Sequence, residues 1–182
     1  MGKVYTALEP QLASWIEKQP VFFVATAPAA GDGHVNCSPK GGDCFRVIDA
    51  QTVAYLDRTG SGVETIAHLQ ENGRIVLMFC AFHGPPKIVR LHGRGHVLYP
   101  GTARYEELSP LFAPAPEVRA IIRIELSRIS DSCGFGVPQL DFVGHLDAMD
   151  VWAEKKGAEG VAAYRQLKNK TSIDGIPGYL PS

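Results

Sequence analysis

The sequence predicts a mainly β chain of the α+β type, its antiparallel strands closed into a barrel with short helices at the margins. Three observations carry this expectation. Six or so strand-length runs rich in Val, Ile and Phe follow one another at short spacing between residues 21 and 129. Helical segments are few and do not alternate regularly with strands, as a doubly wound sheet would require. No G-x-G-x-x-G follows a strand and opens a helix, so a dinucleotide fold has no support.

The elements read as follows, in order. Glu9–Lys18 is a short helix with Leu12, Trp15 and Ile16 on one face, ended by Pro20. Val21–Ala27 is a strand, and the turn Pro28–Gly33 leads into a second, His34–Ser38. Phe45–Ile48 and Thr52–Asp57 flank an Asp49-Ala50 turn. A helix over Ser61–Glu71 precedes Arg74–Phe82, whose unbroken apolar run is that of a strand buried on both faces. Lys87–Tyr99 alternates strictly, and a helix is expected over Thr102–Phe112. In the last strand, Arg119–Ile129, Ile122, Ile124 and Leu126 share one face, and Arg123, Glu125 and Ser127 the other. Ala148–Lys170 reads as two short helices broken near Gly157–Gly160. Thr171–Ser182, rich in Gly and Pro, reads as a surface tail. Residues 1–145 would form the barrel, with residues 146–182 packed on it as part of the same domain.

Bulk properties narrow the function. A chain of 182 residues suits one domain with a proper core. A formal net charge of −1 gives no global attraction to nucleic acid or an anionic membrane. The apolar runs are too short to cross a bilayer, and the first residues lack an apolar leader, so a cytoplasmic protein is expected. Cys37, Cys44, Cys80 and Cys133 form no C-x-x-C pair and match no zinc spacing; neither a metal site nor a disulfide framework is expected.

Four stretches could carry chemistry. The first runs from Tyr55 through Asp57-Arg58-Thr59-Gly60-Ser61-Gly62 to Thr65, a strand end opening into a helix. A helix start presents unpaired N–H groups and a positive dipole end, and small residues let a phosphate approach them. Ser61-x-x-Glu64 is equally a capping box that needs no ligand. The second, His34–Gly42, ends in Lys40 and two glycines. Lys40 is either a solvated lysine at a turn or a cation for a phosphate or a flavin carbonyl. The third is the row Arg90, His92, Arg94 and His96, which strand geometry puts on one face. That row either holds an anion or is the wet outside of the barrel. The fourth, Ser130–Pro138, is a small-residue loop holding Phe135 and Cys133, and nothing adjacent would lower the thiol's pKa. No G-x-S-x-G, H-E-x-x-H or P-loop is present.

In this order the segments resemble the pyridoxamine 5′-phosphate oxidase-like family of FMN-binding split barrels. The likeness is carried by Val35–Gly42, by Val53–Asp57 with Gly60-Ser61-Gly62 and Glu64–Leu69, and by Arg74 through Met78-Phe79 to Val89–Gly95. It spans about Trp15 to Pro138. It implies an antiparallel split β-barrel with short flanking helices, FMN as cofactor at a homodimer interface, and a small-molecule substrate. By the same likeness Tyr55, Ser61, Gly62 and Thr65 hold the phosphate, Lys40 meets the flavin or its phosphate, and Arg90 adds contacts. Ser38 and Arg58 complete that set on one chain. Cys133, in the Ser132–Val137 loop, and Trp152 would reach the site from the partner chain.

The oxidase that names the family has an arginine where Val35 stands, and a basic pair where this chain has Val63-Glu64. It also ends in a segment bearing arginine and histidine, where this chain has Leu167–Lys170 and Ile173–Leu180. These departures point away from pyridoxamine phosphate as the substrate. The expectation is an FMN-dependent oxidoreductase acting on an unknown small molecule. The alternative is a non-catalytic flavin- or haem-binding protein, with His92, His96 or His145 as the haem ligand.

Overall fold

A computed structural model describes residues 2–179. Among them the order is β1 (Val4–Tyr5), α1 (Pro10–Glu17), β2 (Val21–Thr26), β3 (Asn36–Gly41), β4 (Phe45–Asp49), β5 (Thr52–Arg58) and α2 (Glu64–Glu71). There follow β6 (Arg74–Cys80), β7 (Ile88–Leu98), α3 (Ala103–Leu108), β8 (Val118–Ser132) and α4 (Ala148–Lys168). The strands form one sheet in the order β3-β2-β6-β7-β8-β5-β4, with β1 added to the far end of β8. Every pairing is antiparallel.

The sheet curls on itself, and the two arms meet in its interior through aromatic rings. Phe22 on β2 stacks on Phe79 of β6 at 5.2 Å and meets Phe45 of β4 at 5.4 Å and Tyr55 of β5 at 5.7 Å. These four side chains are buried, together with Leu77, Leu91, Ile121, Ile122, Ile124 and Ile129. Burying such residues contributes about 1.5–3 kcal/mol each and drives the curl. The closed barrel expected from strand spacing is corrected here. β3 and β4 end the sheet and do not pair with each other, so the wall is split along β3. Sequence explains the split: Pro39 has no N–H to donate and belongs on an edge strand, and β3 turns Asn36, Ser38 and Lys40 inward where an apolar ladder would be needed.

Other boundaries shift for local reasons. β3 runs to Gly41 because an edge strand tolerates Pro39, and the turn falls at Gly42, whose φ of 80° suits glycine. The two-residue β1 is too short to show in a periodicity. The third helix stops at Leu108, and Pro110 lies in a following 3₁₀ turn, Ser109–Leu111. The expected break in the last helix is present: Gly157 has φ 64° and ψ 172° inside α4. β6 is buried on one face only. Val76 and Met78 stay half-exposed on the other, beside Phe23 and Arg90. The expected surface tail instead folds back: its Ser172 and Gly178 are buried, and its Tyr179 N–H donates to the carbonyl of Asn169, just before it. Residues 180–182 of that tail lie outside the described residues. Among the described residues, no helix is long and apolar enough to cross a membrane.

His68 on α2 is fully buried, and its Nδ1 lies 2.9 Å from the Thr26 hydroxyl of β2. Its Nε2 has no partner among the described residues. Burial disfavours the imidazolium and lowers the pKa, against weaker pulls from Asp174, Glu64 and Glu71. As pH falls below about 6.5, the unfolded chain takes up this proton before the folded one does, so stability drops with pH. Urea unfolding between pH 7.5 and 5.5 is expected to show a shallower decline in His68→Gln than in the parent. Equal slopes would contradict the assignment.

Candidate functional site

The split in the sheet opens a cavity of about 300 Å³, lined by Asn36, Ser38 and Lys40 of β3, by Arg58, Gly60, Ser61 and Gly62, by Glu64 and Thr65 at the start of α2, and by Arg119. The β3 residues reach it through strand periodicity: 36, 38 and 40 share the inner face, while 37, 39 and 41 are exposed. Asn36 donates to Thr65 Oγ1 at 3.0 Å, and Ser38 to Asn36 Oδ1 at 3.2 Å, so β3 and α2 are tied across the pocket.

Beneath this polar wall lies a buried ion cluster. Asp57 at the end of β5 is fully buried. It receives Arg119 Nε at 2.6 Å and, more loosely, Lys40 Nζ at 3.4 Å. Burial alone would push the Asp57 carboxyl up; Arg119 and Lys40 together hold it below the usual carboxylate range. Arg119 owes its aim to a β-bulge. Asp57 pairs with Ala120 and Arg58 with Val118, so Arg119 is the extra residue of β8.

The loop between β5 and α2 carries no regular structure. Among the described residues, the amides of Gly60, Ser61 and Gly62 donate no hydrogen bond. α2 begins at Glu64 with Val63 as its cap residue and no side-chain cap. The expected capping box is therefore not formed, and the expected helix start at Ser61 moves on by one turn. That leaves free N–H groups, three hydroxyls, a carboxamide, a lysine and two guanidinium groups around one small space. This donor set suits a phosphate. Two features oppose an anion. Glu64 folds back over Gly62 and accepts the Ile173 N–H at 3.3 Å. Arg58 spends its guanidinium on buried Glu117 and on Asp150 of α4.

Of the ten expected cofactor residues, the pocket collects Ser38, Lys40, Arg58, Ser61, Gly62 and Thr65. The other four are absent from its lining. Tyr55 is entirely buried in the aromatic core; its hydroxyl has no partner among the described residues, and burial pushes its pKa well above 10. Arg90 is on the outer face of β7 and donates to Ser132 Oγ at 3.0 Å. Cys133 is exposed. Trp152 packs on Tyr164 within α4, ring centroids 5.1 Å apart. His92 and His96 share Arg90's face, while His145 meets Phe142 at 4.8 Å with the rings tilted. No group of three metal-binding side chains occurs among the described residues. Sequence reasoning missed Asn36, Gly60, Glu64 and Arg119 as pocket residues.

The family model for pyridoxamine 5′-phosphate oxidase matches residues 8–133. The chain belongs to the pyridoxamine 5′-phosphate oxidase family. A family relative, the protein ustO of Aspergillus flavus, is 38% identical over 191 residues, covering 96% of this chain and 76% of that one. Among solved structures, a protein of Lactobacillus delbrueckii named as a candidate pyridoxamine 5′-phosphate oxidase superposes with a TM-score of 0.53. It has 17% identity and covers 69% of this chain and 94% of that one. HupZ of group A Streptococcus superposes with a TM-score of 0.51 at 23% identity, covering 66% and 90%. These two likenesses concern the fold, and they bear out the antiparallel split barrel of the family.

Proposed function

We propose that this chain is an FMN-dependent oxidoreductase acting on a small molecule, with the FMN phosphate held in the 300 Å³ pocket of the split sheet. The carrying observation is the convergence there of Lys40, Arg119, the hydroxyls of Ser38, Ser61 and Thr65, and the free loop amides, in a chain of this family. FMN would supply the hydride or electron transfer. The chain's own part is to bind the phosphate, orient the ring along the inner face of β3 and shape the substrate space. No protein acid or base is required of it. Leu167–Lys170 and Ile173–Leu180, in place of a segment bearing arginine and histidine, support a substrate other than pyridoxamine phosphate.

The same reading includes a homodimer. The half-exposed Phe23, Val76 and Met78 on the outer sheet face, and the exposed Phe135, Leu140, Phe142 and Val143 after β8, give apolar surface for a second copy. The test is the absorbance spectrum of freshly purified protein, with the released cofactor identified by mass and the complex sized by sedimentation. A flavin spectrum, the mass of FMN and a dimer are expected. A haem Soret band would favour the haem-binding alternative, and a colourless protein that ignores added FMN would overturn the proposal.

Glu64 gives this site a residue-level prediction. Its carboxylate lies over the loop that would receive the phosphate, so Glu64→Gln is expected to tighten FMN binding a few-fold, the scale of one partly exposed charge contact. Fluorescence titration reads this directly, and weaker binding in the variant would contradict it.

A further inference from the structure

We propose that the carboxy-terminal strap, residues 165–179, is a working part of the phosphate pocket, with Asn169 as the positioning residue that makes the site select a phosphorylated flavin over its dephosphorylated form. This rests on the FMN reading above.

Asn169 is fully buried, and its carboxamide is spent on two groups of the pocket. Its Oδ1 accepts from Arg119 Nη1 at 2.9 Å, and its Nδ2 donates to the Gly60 carbonyl at 3.0 Å. One side chain therefore fixes both the buried cation and the loop. The loop contact has a geometric consequence. A trans peptide is planar, with its C=O and N–H on opposite sides. Drawing the Gly60 carbonyl onto Asn169 turns the Ser61 N–H away from Asn169. Arg119 Nη1 likewise holds the Gly62 carbonyl at 2.9 Å, which turns the Val63 N–H the other way. The strap thus aims donors that the loop, lacking regular structure, would not aim alone.

The rest of the strap reinforces this. One turn before Asn169, Arg165 donates to Thr59 Oγ1 at 2.8 Å and to the Val118 carbonyl at 3.1 Å, gripping both strands below the pocket. Beyond Asn169 the chain reverses and returns its Tyr179 N–H to the Asn169 carbonyl at 2.8 Å. Gly178 lies so close to Val63 and the Asn169 carbonyl that a Cβ would not fit. On the other wall, Asp174 accepts from the backbone and ring nitrogens of His34, just before β3. The strap therefore reaches the loop, the start of α2, Arg119 and the approach to β3.

The test measures dissociation constants of FMN and of riboflavin for the full chain, with Asn169→Ala and the near-isosteric Asn169→Asp alongside, and thermal unfolding as a check that each folds. The parent is expected to prefer FMN strongly. Both variants should lose about tenfold in FMN affinity, the scale of one hydrogen bond to a charged group, with riboflavin affinity unchanged. A merely structural role would weaken both ligands alike or neither. If the parent prefers FMN and the folded variants keep its FMN-to-riboflavin ratio, the role of the strap is overturned while the FMN reading stands. If the parent itself does not prefer FMN, both fall.

Discussion

Replacing Arg119 by alanine is expected to cost the folded protein about 3–5 kcal/mol, the usual penalty for removing one partner of a buried ion pair. Its guanidinium is 5% exposed and faces the fully buried Asp57 at 2.6 Å. Without it the Asp57 carboxylate keeps only Lys40 at 3.4 Å, and the Asn169 amide oxygen and the Gly62 carbonyl lose their donor. Asp57 and Asn169 are fully buried, so the loss falls on polar groups out of reach of water. For a chain of this size the melting temperature should fall by roughly 10 °C. The companion variant, Arg119→Met with Asp57→Asn, removes the stranded charge and should recover part of the loss. Urea denaturation of the two proteins checks this. An Arg119→Ala protein as stable as the parent would show that the cluster does not hold the fold together.

Lys40→Ala should instead act on the ligand. Lys40 is the most accessible cation of the cluster, 19% exposed, and its contact with Asp57 is long enough to leave the ammonium free to turn to a phosphate. Arg119 still covers Asp57 in the variant, so the fold should survive with a small loss. One charge-assisted hydrogen bond to a phosphate is worth about 1.5–3 kcal/mol, so FMN affinity should drop by roughly ten- to a hundredfold. Equilibrium titration by flavin fluorescence reads this directly. Unchanged affinity would remove Lys40 from the site. Arg58→Ala should look different, since Arg58 is committed to Glu117 and Asp150 and its removal strands a buried carboxylate.

How much of this was legible in the sequence follows from what each feature depends on. Strand runs and the Gly157 break are local, and they could be read from apolar periodicity and glycine placement. Ser38 and Lys40 entered the expected site through the family resemblance, since the strand expected there stops at Ser38, and the face they share is set by β3 running on to Gly41. Asn36 belongs to the same strand, yet nothing local separates it from a surface amide. Arg119 was hidden because a bulge aims it: by simple alternation it joins Arg123 and Glu125 on the polar face, whereas the extra residue in β8 turns it to Asp57. Asn169 was hidden by distance, since its partners Gly60 and Arg119 lie 109 and 50 residues earlier in the chain. The capping box failed for a related reason. Ser61-x-x-Glu64 has the right letters, but the loop carbonyls are held by Asn169 and Arg119, and the helix starts only at Glu64. The tail looked like surface chain because Gly and Pro dominate it, although Gly178 is there to allow a close approach to Val63.

The central claim is that the split of the sheet is a phosphate pocket. A crystal structure of the protein with FMN tests it most directly. The FMN phosphate is expected between Lys40, Ser61, Thr65 and the 60–62 amides, with the ring along β3. A phosphate found elsewhere, for instance in the roughly 1100 Å³ cavity lined by Phe23, Phe142 and His145, would contradict it.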